Sequence, residues 1–504
     1  MPEKITNKNI ITRSIARVWH PCTQMKHHEQ FPLIPIARGE GAWLIDFEGK
    51  RYLDAVSSWW VNLFGHANPR INAALKDQLD QLEHVMLAGF THAPVVELSE
   101  RLAKLTGLGH AFYGSDGASA VEIALKMSFH YWRNAGFAGK KKFVSLEGSY
   151  HGETIGALSV TDVAIFRDAY GPLLNNNLRV PFPANYHVEP VFTGVVAANV
   201  LESRASSGET LNAPQLNVVR QAHHERNQKF TDSSQPMPRQ AHHERNQKIT
   251  VRPEPVEGLD QRTPYAALEK LLAERHGEIA ALIVEPLVQG AAGMRMYHAD
   301  YLRDARALCD QYGVHLIVDE IMTGFGRTGT MFAYQQASIL PDFVCLSKGL
   351  TGGYLPLSCV LTRDTIYDAF YHDDVGRGFL HSHSYTGSAL ACRAALATLD
   401  IFAADNVIEN NRVKAQRFSA HAETIRQHPS VENFRHLGMI WAFDVKAAKP
   451  TFAREFFAAS LKRGVLLRPI GNTVYFMPPY ILEEDEFAWL VKQTIDVLNE
   501  MKSP

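Results

Sequence analysis

The chain has 504 residues, enough for two or three domains, and its 46% apolar and 21% charged residues are ordinary for a globular protein. Its formal net charge of −2 lacks the basic bias of a nucleic-acid binder, and no apolar run reaches the about 18 residues that a membrane span needs. The N-terminus is too polar for a signal peptide, and the five cysteines lack the spacing of a disulfide framework or a structural zinc site. We therefore expect a cytoplasmic protein without metal, nucleic-acid or membrane partners.

Local patterns predict the elements in the first two thirds of the chain. Residues 33–56 alternate apolar stretches with glycine breaks, which predicts a hairpin, and amphipathic periodicity predicts helices at 70–85 and 94–106. From about residue 111 to 350, short apolar runs alternate with helical stretches, and uninterrupted apolar runs are typical of strands buried on both faces. These runs are residues 142–146, 281–285, 315–319 and 343–347.

The chain beyond about residue 400 is again helical and ends in strand-like pieces and a last helix. The pieces are residues 439–445, 465–468 and 473–477. Helices between buried strands indicate βαβ units, so the expected fold class is α/β, with a mainly parallel sheet and a smaller α+β domain built from both termini. We expect residues 1–64 and 401–504 to form the small domain and residues 65–400 the large one.

A polar stretch at residues 190–262 does not follow this pattern. The decapeptide at 220–229 recurs residue for residue at 239–248, but two copies are too few to form a repeat architecture. His-rich tracts can bind metal, which keeps that alternative open. We expect a poorly ordered surface insertion without a catalytic role, because the stretch has little apolar material to offset the entropy of ordering.

Lys348 directly follows an apolar run and precedes several glycines. The carboxyl end of a parallel strand is where α/β sheets bind ligands. A Schiff base to a carbonyl cofactor would remove the cost of a buried ammonium there. The competing interpretation is a lysine that points to water after a strand.

Asp319 ends another buried run, and Lys348 lies 29 residues beyond it, about the length of one βαβ unit. That spacing could place both residues on one rim of the sheet. An ionised carboxylate at the end of a buried strand needs a cationic partner, and a protonated pyridine nitrogen is such a partner. The alternative is an aspartate that caps the next turn.

Two further motifs precede these residues. At Gly117 a short strand meets a glycine turn and an amphipathic helix, whose free N–H groups suit a phosphate. Tyr150 follows another buried run, and its ring could stack on a planar cofactor. A helix cap without a ligand and a core aromatic are the alternatives.

The order of these four motifs along the chain is a phosphate loop, an aromatic residue, an acid and a lysine. This order resembles that of the class III aminotransferases, which are pyridoxal-phosphate enzymes of fold type I. The resemblance covers nearly the whole chain except residues 190–262. Other motifs are similar to the family's biotin-synthesis branch. They are residues 18–21, 57–60, 84–86, 91–94, 289–298, 467–471 and 475–480.

The resemblance implies a set of cofactor-binding residues. Lys348 would hold pyridoxal 5'-phosphate covalently, and Asp319 would partner the pyridine nitrogen. Tyr150 would stack on the ring, with Ile321 a candidate for the opposite face. The phosphate-binding turn corresponds to Gly117 and Ala118.

The resemblance also implies substrate-binding residues and an assembly. Trp59 and Trp60 would line the substrate pocket, and Arg468 would receive a carboxylate. Cys22 stands where well-known members of the family place a tyrosine near the substrate. Ser384 would contact the phosphate bound by the neighbouring subunit of a homodimer.

Within the family, the resemblance implies ping-pong transfer of an amino group from S-adenosylmethionine to 8-amino-7-oxononanoate, giving 7,8-diaminononanoate. Another class III transaminase that acts on ω-amino acids or diamines with pyruvate or 2-oxoglutarate remains an alternative. A mutase or racemase, and a cofactor-binding protein without turnover, also stay open.

Overall fold

The computed structural model describes residues 5–31, 33–184, 186 and 264–501. Internal contacts divide the chain into a body of Met1–Val188 with Gln261–Pro504 and a second unit of Glu189–Asp260, which lies outside the described residues. The expected insertion at 190–262, with its duplicated decapeptide, therefore lies outside them too. No helix in the described ranges is long and apolar enough to cross a membrane.

The described helices run from one end of the body to the other. They are α1 (Asn7–Arg17), α2 (Ser57–Trp60), α3 (Pro69–Leu79), α4 (Ala93–Thr106), α5 (Gly117–Asn134), α6 (Ile155–Val160), α7 (Ala164–Arg167), α8 (Pro264–Arg275), α9 (Ala299–Tyr312), α10 (Asp364–Tyr367), α11 (Ala389–Ala404), α12 (Val407–Arg426), α13 (Phe452–Lys462) and α14 (Glu484–Glu500). Sequence signals set several of their ends. The side chain of Asn68 caps the start of α3, and Gly107 ends α4 in the left-handed conformation that glycine adopts without strain.

The strands follow the same chain order. They are β1 (Ile36–Glu40), β2 (Trp43–Asp46), β3 (Arg51–Asp54), β4 (His110–Gly114), β5 (Lys142–Leu146), β6 (Leu178–Val180), β7 (Ile279–Val284), β8 (Val288–Gln289), β9 (Arg295–Met296), β10 (His315–Asp319), β11 (Phe343–Leu346), β12 (Ser358–Thr362), β13 (Val431–Leu437), β14 (Ile440–Val445), β15 (Val465–Leu466) and β16 (Thr473–Phe476). The four apolar runs of the central region are strands, as expected. The helix expected at 70–85 ends earlier, at Leu79, and the Gln78 side chain donates to the carbonyl of Leu82 just beyond that end.

The largest described sheet has seven strands in the order β4-β12-β11-β10-β7-β5-β6. Pairing is parallel throughout except at β12, which runs antiparallel to both neighbours. All residues of β7, β10, β11 and β12 are buried, as expected for strands covered on both faces. This sheet confirms the expected α/β class.

Of the three smaller sheets in the described residues, two are formed by strands near the ends of the chain, and β8 and β9 form the third. β15 pairs in parallel with β3, so the first four-stranded sheet, β1-β2-β3-β15, joins N-terminal and C-terminal segments. A second sheet, β13-β14-β16, comes from the C-terminal region alone. The indole of Trp43 donates to the carboxylate of Glu486 in α14 over 2.7 Å, which ties the two regions together.

Candidate active site

Five residues of the candidate site lie at one edge of the large sheet. Gly117 follows β4, Tyr150 follows β5 and Glu285 follows β7, while Asp319 ends β10 and Lys348 follows β11. Their strands run in the same direction, although β12 separates β4 from the others, so their carboxyl ends lie at the same edge of the sheet. All five line one cavity of about 550 Å³. The shared rim expected for Asp319 and Lys348 is therefore present.

Lys348 lies in an environment that favours its neutral form. Its φ of 26° is unusual for a residue with a Cβ and places it in a tight turn after the strand. Burial lowers the pKa of its ammonium, although the nearby carboxylates of Asp319 and Glu285 oppose that shift. The Nζ atom lies 5.3 Å from the ring centroid of Trp60, which forms part of the cavity wall.

Asp319 is buried and held from two sides. Its Oδ1 accepts the backbone N–H of Ile321 over 3.1 Å, and its Oδ2 lies 2.7 Å from Nδ1 of His151. Because a carboxylate only accepts, the Nδ1 atom of His151 must carry the hydrogen. His151 also lines the cavity, and its buried Nε2 has no hydrogen-bond partner within the described residues.

Glu285 is a second buried carboxylate in the cavity, and the sequence motifs did not single it out. Its two oxygens accept the backbone N–H groups of Tyr150 and Gly290 over 2.9 and 3.0 Å. Burial is the main cause that raises its pKa to about 7, and the charge of His151 opposes it. A usable signal existed, because Glu285 ends a buried apolar run just as Asp319 does.

The N-terminus of α5 forms the opposite end of the cavity. The side chain of Asp116 accepts the N–H of Ser119 over 2.9 Å, which leaves the N–H groups of Gly117 and Ala118 available to a ligand. A Cβ atom at Gly117 would lie 3.0 Å from Ile321, so glycine allows this close approach. Behind this turn, the hydroxyl of Ser115 lies 3.1 Å from Nδ1 of His383.

Most of the expected cofactor-binding residues line this cavity. They are Gly117, Ala118, Tyr150, Asp319, Ile321 and Lys348. The hydroxyl of Tyr150 donates to Glu153 over 2.9 Å. Burial raises the pKa of the Tyr150 hydroxyl well above its ordinary value, so the side chain is neutral. Ser384 is exposed and does not line the cavity of its own chain.

Three of the four expected substrate-binding residues line two cavities, and Trp59 lines neither. Trp60 lines the first and donates its indole N–H to the hydroxyl of Tyr475 over 3.1 Å. Cys22 and Arg468 line a second cavity of about 470 Å³. The guanidinium of Arg468 lies over the ring of Trp59 at 4.6 Å, which is a cation–π contact.

The residues present fit pyridoxal phosphate. A buried amine, a buried carboxylate and a helix N-terminus with two free N–H groups lie in one cavity. They suit the aldehyde, the ring nitrogen and the phosphate of that molecule, respectively. No group of three or more metal-ligating side chains that could hold an ion occurs in the described ranges.

Comparisons with known proteins agree with this geometry. The family model described as "Aminotransferase class-III" matches residues 24–212 and 217–498. A curated relative from Helicobacter pylori, named adenosylmethionine-8-amino-7-oxononanoate aminotransferase, is 42% identical over 502 residues, which cover 98% of this chain and 99% of the relative. A relative of the same name from Anoxybacillus flavithermus is 37% identical, with 93% of this chain and 92% of the relative covered.

Solved structures give the same result for the fold. The structure of the enzyme with that name from Methanocaldococcus jannaschii is similar to this chain with a TM-score of 0.80 and 31% identity. The match covers 98% of this chain and 99% of the Methanocaldococcus chain. An (S)-enantioselective omega-transaminase from Thermomicrobium roseum has a TM-score of 0.79 and 28% identity, with 99% and 100% covered. The chain belongs to the class III aminotransferase family and is a pyridoxal-phosphate-dependent transaminase of fold type I.

Proposed function

We propose that this transaminase transfers the amino group of S-adenosylmethionine to 8-amino-7-oxononanoate. The observation that carries the proposal is the similarity, over almost the full chain, to relatives named for that reaction. The relative from Helicobacter pylori is 42% identical. The amine of the donor becomes a ketone, and the ketone of the acceptor becomes an amine. The second product is therefore 7,8-diaminononanoate.

Lys348 is the proposed proton-transfer residue. When bound, pyridoxal phosphate supplies an electron-withdrawing ring that carries the amino group between the two half-reactions. The Nζ atom of Lys348 takes the proton from the carbon that bears the donor's amine, and returns a proton to the acceptor in the reverse sequence. Only a neutral amine can accept that proton, and burial of this lysine favours the neutral form.

Asp319 is the proposed partner of the pyridine nitrogen. A carboxylate in a buried position keeps a nearby nitrogen protonated, because the ion pair offsets the cost of burying either charge alone. His151 holds one oxygen of Asp319 and the N–H of Ile321 holds the other. Both contacts orient the carboxylate. Tyr150 and Ile321 are the proposed contacts of the two ring faces.

Arg468 is the proposed site for the substrate carboxylate. Both substrates carry a carboxylate, so one guanidinium can serve both half-reactions. Arg468 has no carboxylate partner within the described residues, and Trp59 covers one face of its guanidinium. Trp60 and Cys22 are proposed to line the path between this arginine and Lys348.

Several features of the whole enzyme belong to the same proposal. We place the domain boundaries near residues 64 and 400, which agrees with the separate sheets at the two ends of the chain. A cytoplasmic homodimer is also proposed. Leu380 and Tyr385, on either side of the exposed Ser384, leave most of their surface uncovered, and a second subunit would cover it.

Replacement of Lys348 tests the proposal directly. Lys348→Ala should lower kcat by about 10,000-fold or more, because it removes both the proton carrier and the covalent attachment of the cofactor. Lys348→Arg is the matched control for charge, since arginine is never neutral in proteins, and it should be equally inactive. Visible absorbance reports cofactor attachment, and a variant that keeps both turnover and that absorbance would contradict the assignment.

The choice of donor separates the proposal from its main alternative. Turnover with S-adenosylmethionine as the sole donor supports the proposed reaction. Turnover that instead requires ω-amino acids or diamines, with pyruvate or 2-oxoglutarate as acceptor, would favour the general transaminase. The Thermomicrobium roseum structure, at 28% identity, motivates that comparison.

A further inference from the structure

Four consecutive residues, Ser57–Trp60, form a left-handed helical turn. Their φ angles are 51°, 46°, 70° and 74°, and the two central residues have ψ angles of 53° and 45°. The N–H of Trp60 donates to the carbonyl of Val56, and that of Val61 to Ser57, over 2.9 and 3.0 Å. No residue of the turn is glycine, so each Cβ is strained against a carbonyl oxygen. Such a turn persists only where its surroundings hold it.

One buried carboxylate anchors this turn. Asp54 is fully buried, and its Oδ1 accepts the backbone N–H of Ser58 over 2.9 Å. Its Oδ2 accepts the hydroxyl of Ser58 over 2.7 Å and Nε2–H of His66 over 3.1 Å. Nδ1 of His66 lies 3.2 Å from the amide nitrogen of Asn62, so both ring nitrogens are held. Three donors thus converge on the two oxygens.

The turn places two indoles at two parts of the substrate-binding region. Trp60 points into the first cavity beside Lys348, and Trp59 lies against Arg468 at the second. The pairing of β3 with β15 explains why Arg468 is near, because Asp54 is opposite Leu466 and both strands run toward the same end.

We propose that Asp54 and His66 are positioning residues for substrate recognition. Through Ser58 they hold the left-handed turn, and the turn holds Trp59 against Arg468 and Trp60 beside Lys348. The inference rests on the proposed function only in assigning the substrate carboxylate to Arg468. Neither residue lines the first cavity, so their effect on the chemistry passes through the tryptophans.

Loss of the anchor should weaken binding more than catalysis. In Asp54→Asn one oxygen becomes an NH₂ group, which faces a donor and cannot accept from it. We expect the KM for S-adenosylmethionine to rise about tenfold or more, and kcat to change less than about threefold. The near-ultraviolet circular dichroism of the tryptophans should change as the turn relaxes. Asp54→Ala should show the same changes in larger degree.

Glycine at position 58 separates backbone strain from lost hydrogen bonds. Ser58→Gly and Ser58→Ala both remove the hydroxyl, but only glycine removes the Cβ that opposes the left-handed conformation. In the Asp54→Asn background, Ser58→Gly should restore most of the KM and the tryptophan signal, whereas Ser58→Ala should not. The same contrast should appear in the chain that keeps Asp54, where Ser58→Ala raises KM and Ser58→Gly does not.

Two outcomes would overturn the proposal. One is an Asp54→Asn enzyme with unchanged KM and unchanged near-ultraviolet signal. The other is an identical effect of Ser58→Gly and Ser58→Ala in both backgrounds. If the wild-type enzyme does not use S-adenosylmethionine, the proposed function fails, but the spectroscopic comparison needs no substrate and still decides the role of Asp54.

Discussion

Neighbouring carboxylates at the end of β10 have different surroundings. Asp319 faces the cavity and meets His151, whereas Glu320 is fully buried away from it. Burial raises the pKa of Glu320 to about 7, and its oxygens accept from Thr323 and from the N–H of Tyr334. One aspartate therefore stays available to a ligand, while the adjacent glutamate belongs to the packing of the loop.

This difference predicts a large loss of activity for one isosteric substitution and almost none for the other. Asp319→Asn should lower kcat by roughly 100- to 1,000-fold, because it removes a preorganised charge from the reacting centre. Glu320→Gln is the matched control and should leave kcat within about threefold, since the glutamine keeps the shape of a residue outside the cavity. Steady-state kinetics and far-ultraviolet circular dichroism check both. Equal losses in the two variants would contradict the proposed role of Asp319.

Individual residues of the site could be predicted to different degrees. Asp319 and Lys348 end or follow apolar runs, and their spacing of 29 residues indicated that both could lie on one rim. The Asp319 contact of His151 could not be predicted, because it joins residues 168 positions apart. The left-handed conformation of Trp59 and Trp60 could not be predicted either, because serine and tryptophan give no local signal for positive φ.

The start of helix α5 combines a helix cap with the turn expected to bind the phosphate. Asp116 satisfies the N–H of Ser119, but its negative charge lies in the cavity near the N–H groups expected to bind phosphate. The cap therefore stabilises the helix while it repels an anionic ligand.

Asp116→Asn should separate these two effects. Asparagine caps helices about as well as aspartate, so the thermal midpoint should stay nearly unchanged. The affinity of the apoprotein for pyridoxal phosphate should rise about fivefold, which is the equivalent of about 1 kcal/mol of repulsion between charges in water. Fluorescence titration measures the affinity. Asp116→Ala, which lacks the cap, should instead lower the midpoint, and weaker binding by Asp116→Asn would contradict this account.

The strands expected in the large sheet and near the two ends of the chain are present, but strand pairing was more predictable in the large sheet than in the smaller ones. β7, β10 and β11 are uninterrupted apolar runs, which sequence periodicity detects directly. The sequence indicated a strand at 465–468, but its pairing with β3 depends on contacts across the whole chain and could not be predicted. The end of α3 was missed because a side-chain contact of Gln78, rather than a helix-breaking residue, marks it.

The stability of the body should depend on pH in part through a buried histidine of the large sheet. His315 begins β10, stacks on Trp132 at 4.6 Å, and its Nδ1 lies 2.9 Å from the hydroxyl of Ser128. Burial is the main cause that lowers its pKa from 6.5 to about 4, and the charge of Asp342 opposes the shift. Between pH 6.5 and 4 the unfolded chain therefore binds a proton that the folded chain does not.

That difference destabilises the folded protein as the pH falls through this window. His315 lowers the free energy of unfolding by at most about 1.4 kcal/mol per pH unit in this window, and it has no such effect above pH 6.5. His315→Phe removes the titrating group, so its thermal midpoint should fall less steeply than that of the wild type between pH 6.5 and 5. Ser128→Ala is the control, because it removes the hydrogen bond but keeps the histidine. Parallel midpoint curves for His315→Phe and the wild type would show that another group is responsible.

The parallel pairing of β3 with β15 has a consequence for the order in which the enzyme is completed. The cofactor cavity is built from residues between Trp60 and Leu357, but Arg468 reaches Trp59 only after the C-terminal strand has been synthesised. The cavity can therefore form from segments that are synthesised before the strand that brings Arg468, the proposed carboxylate site, to Trp59. We expect this proposed substrate contact to be completed late in synthesis, because it joins residues from the two ends of the body.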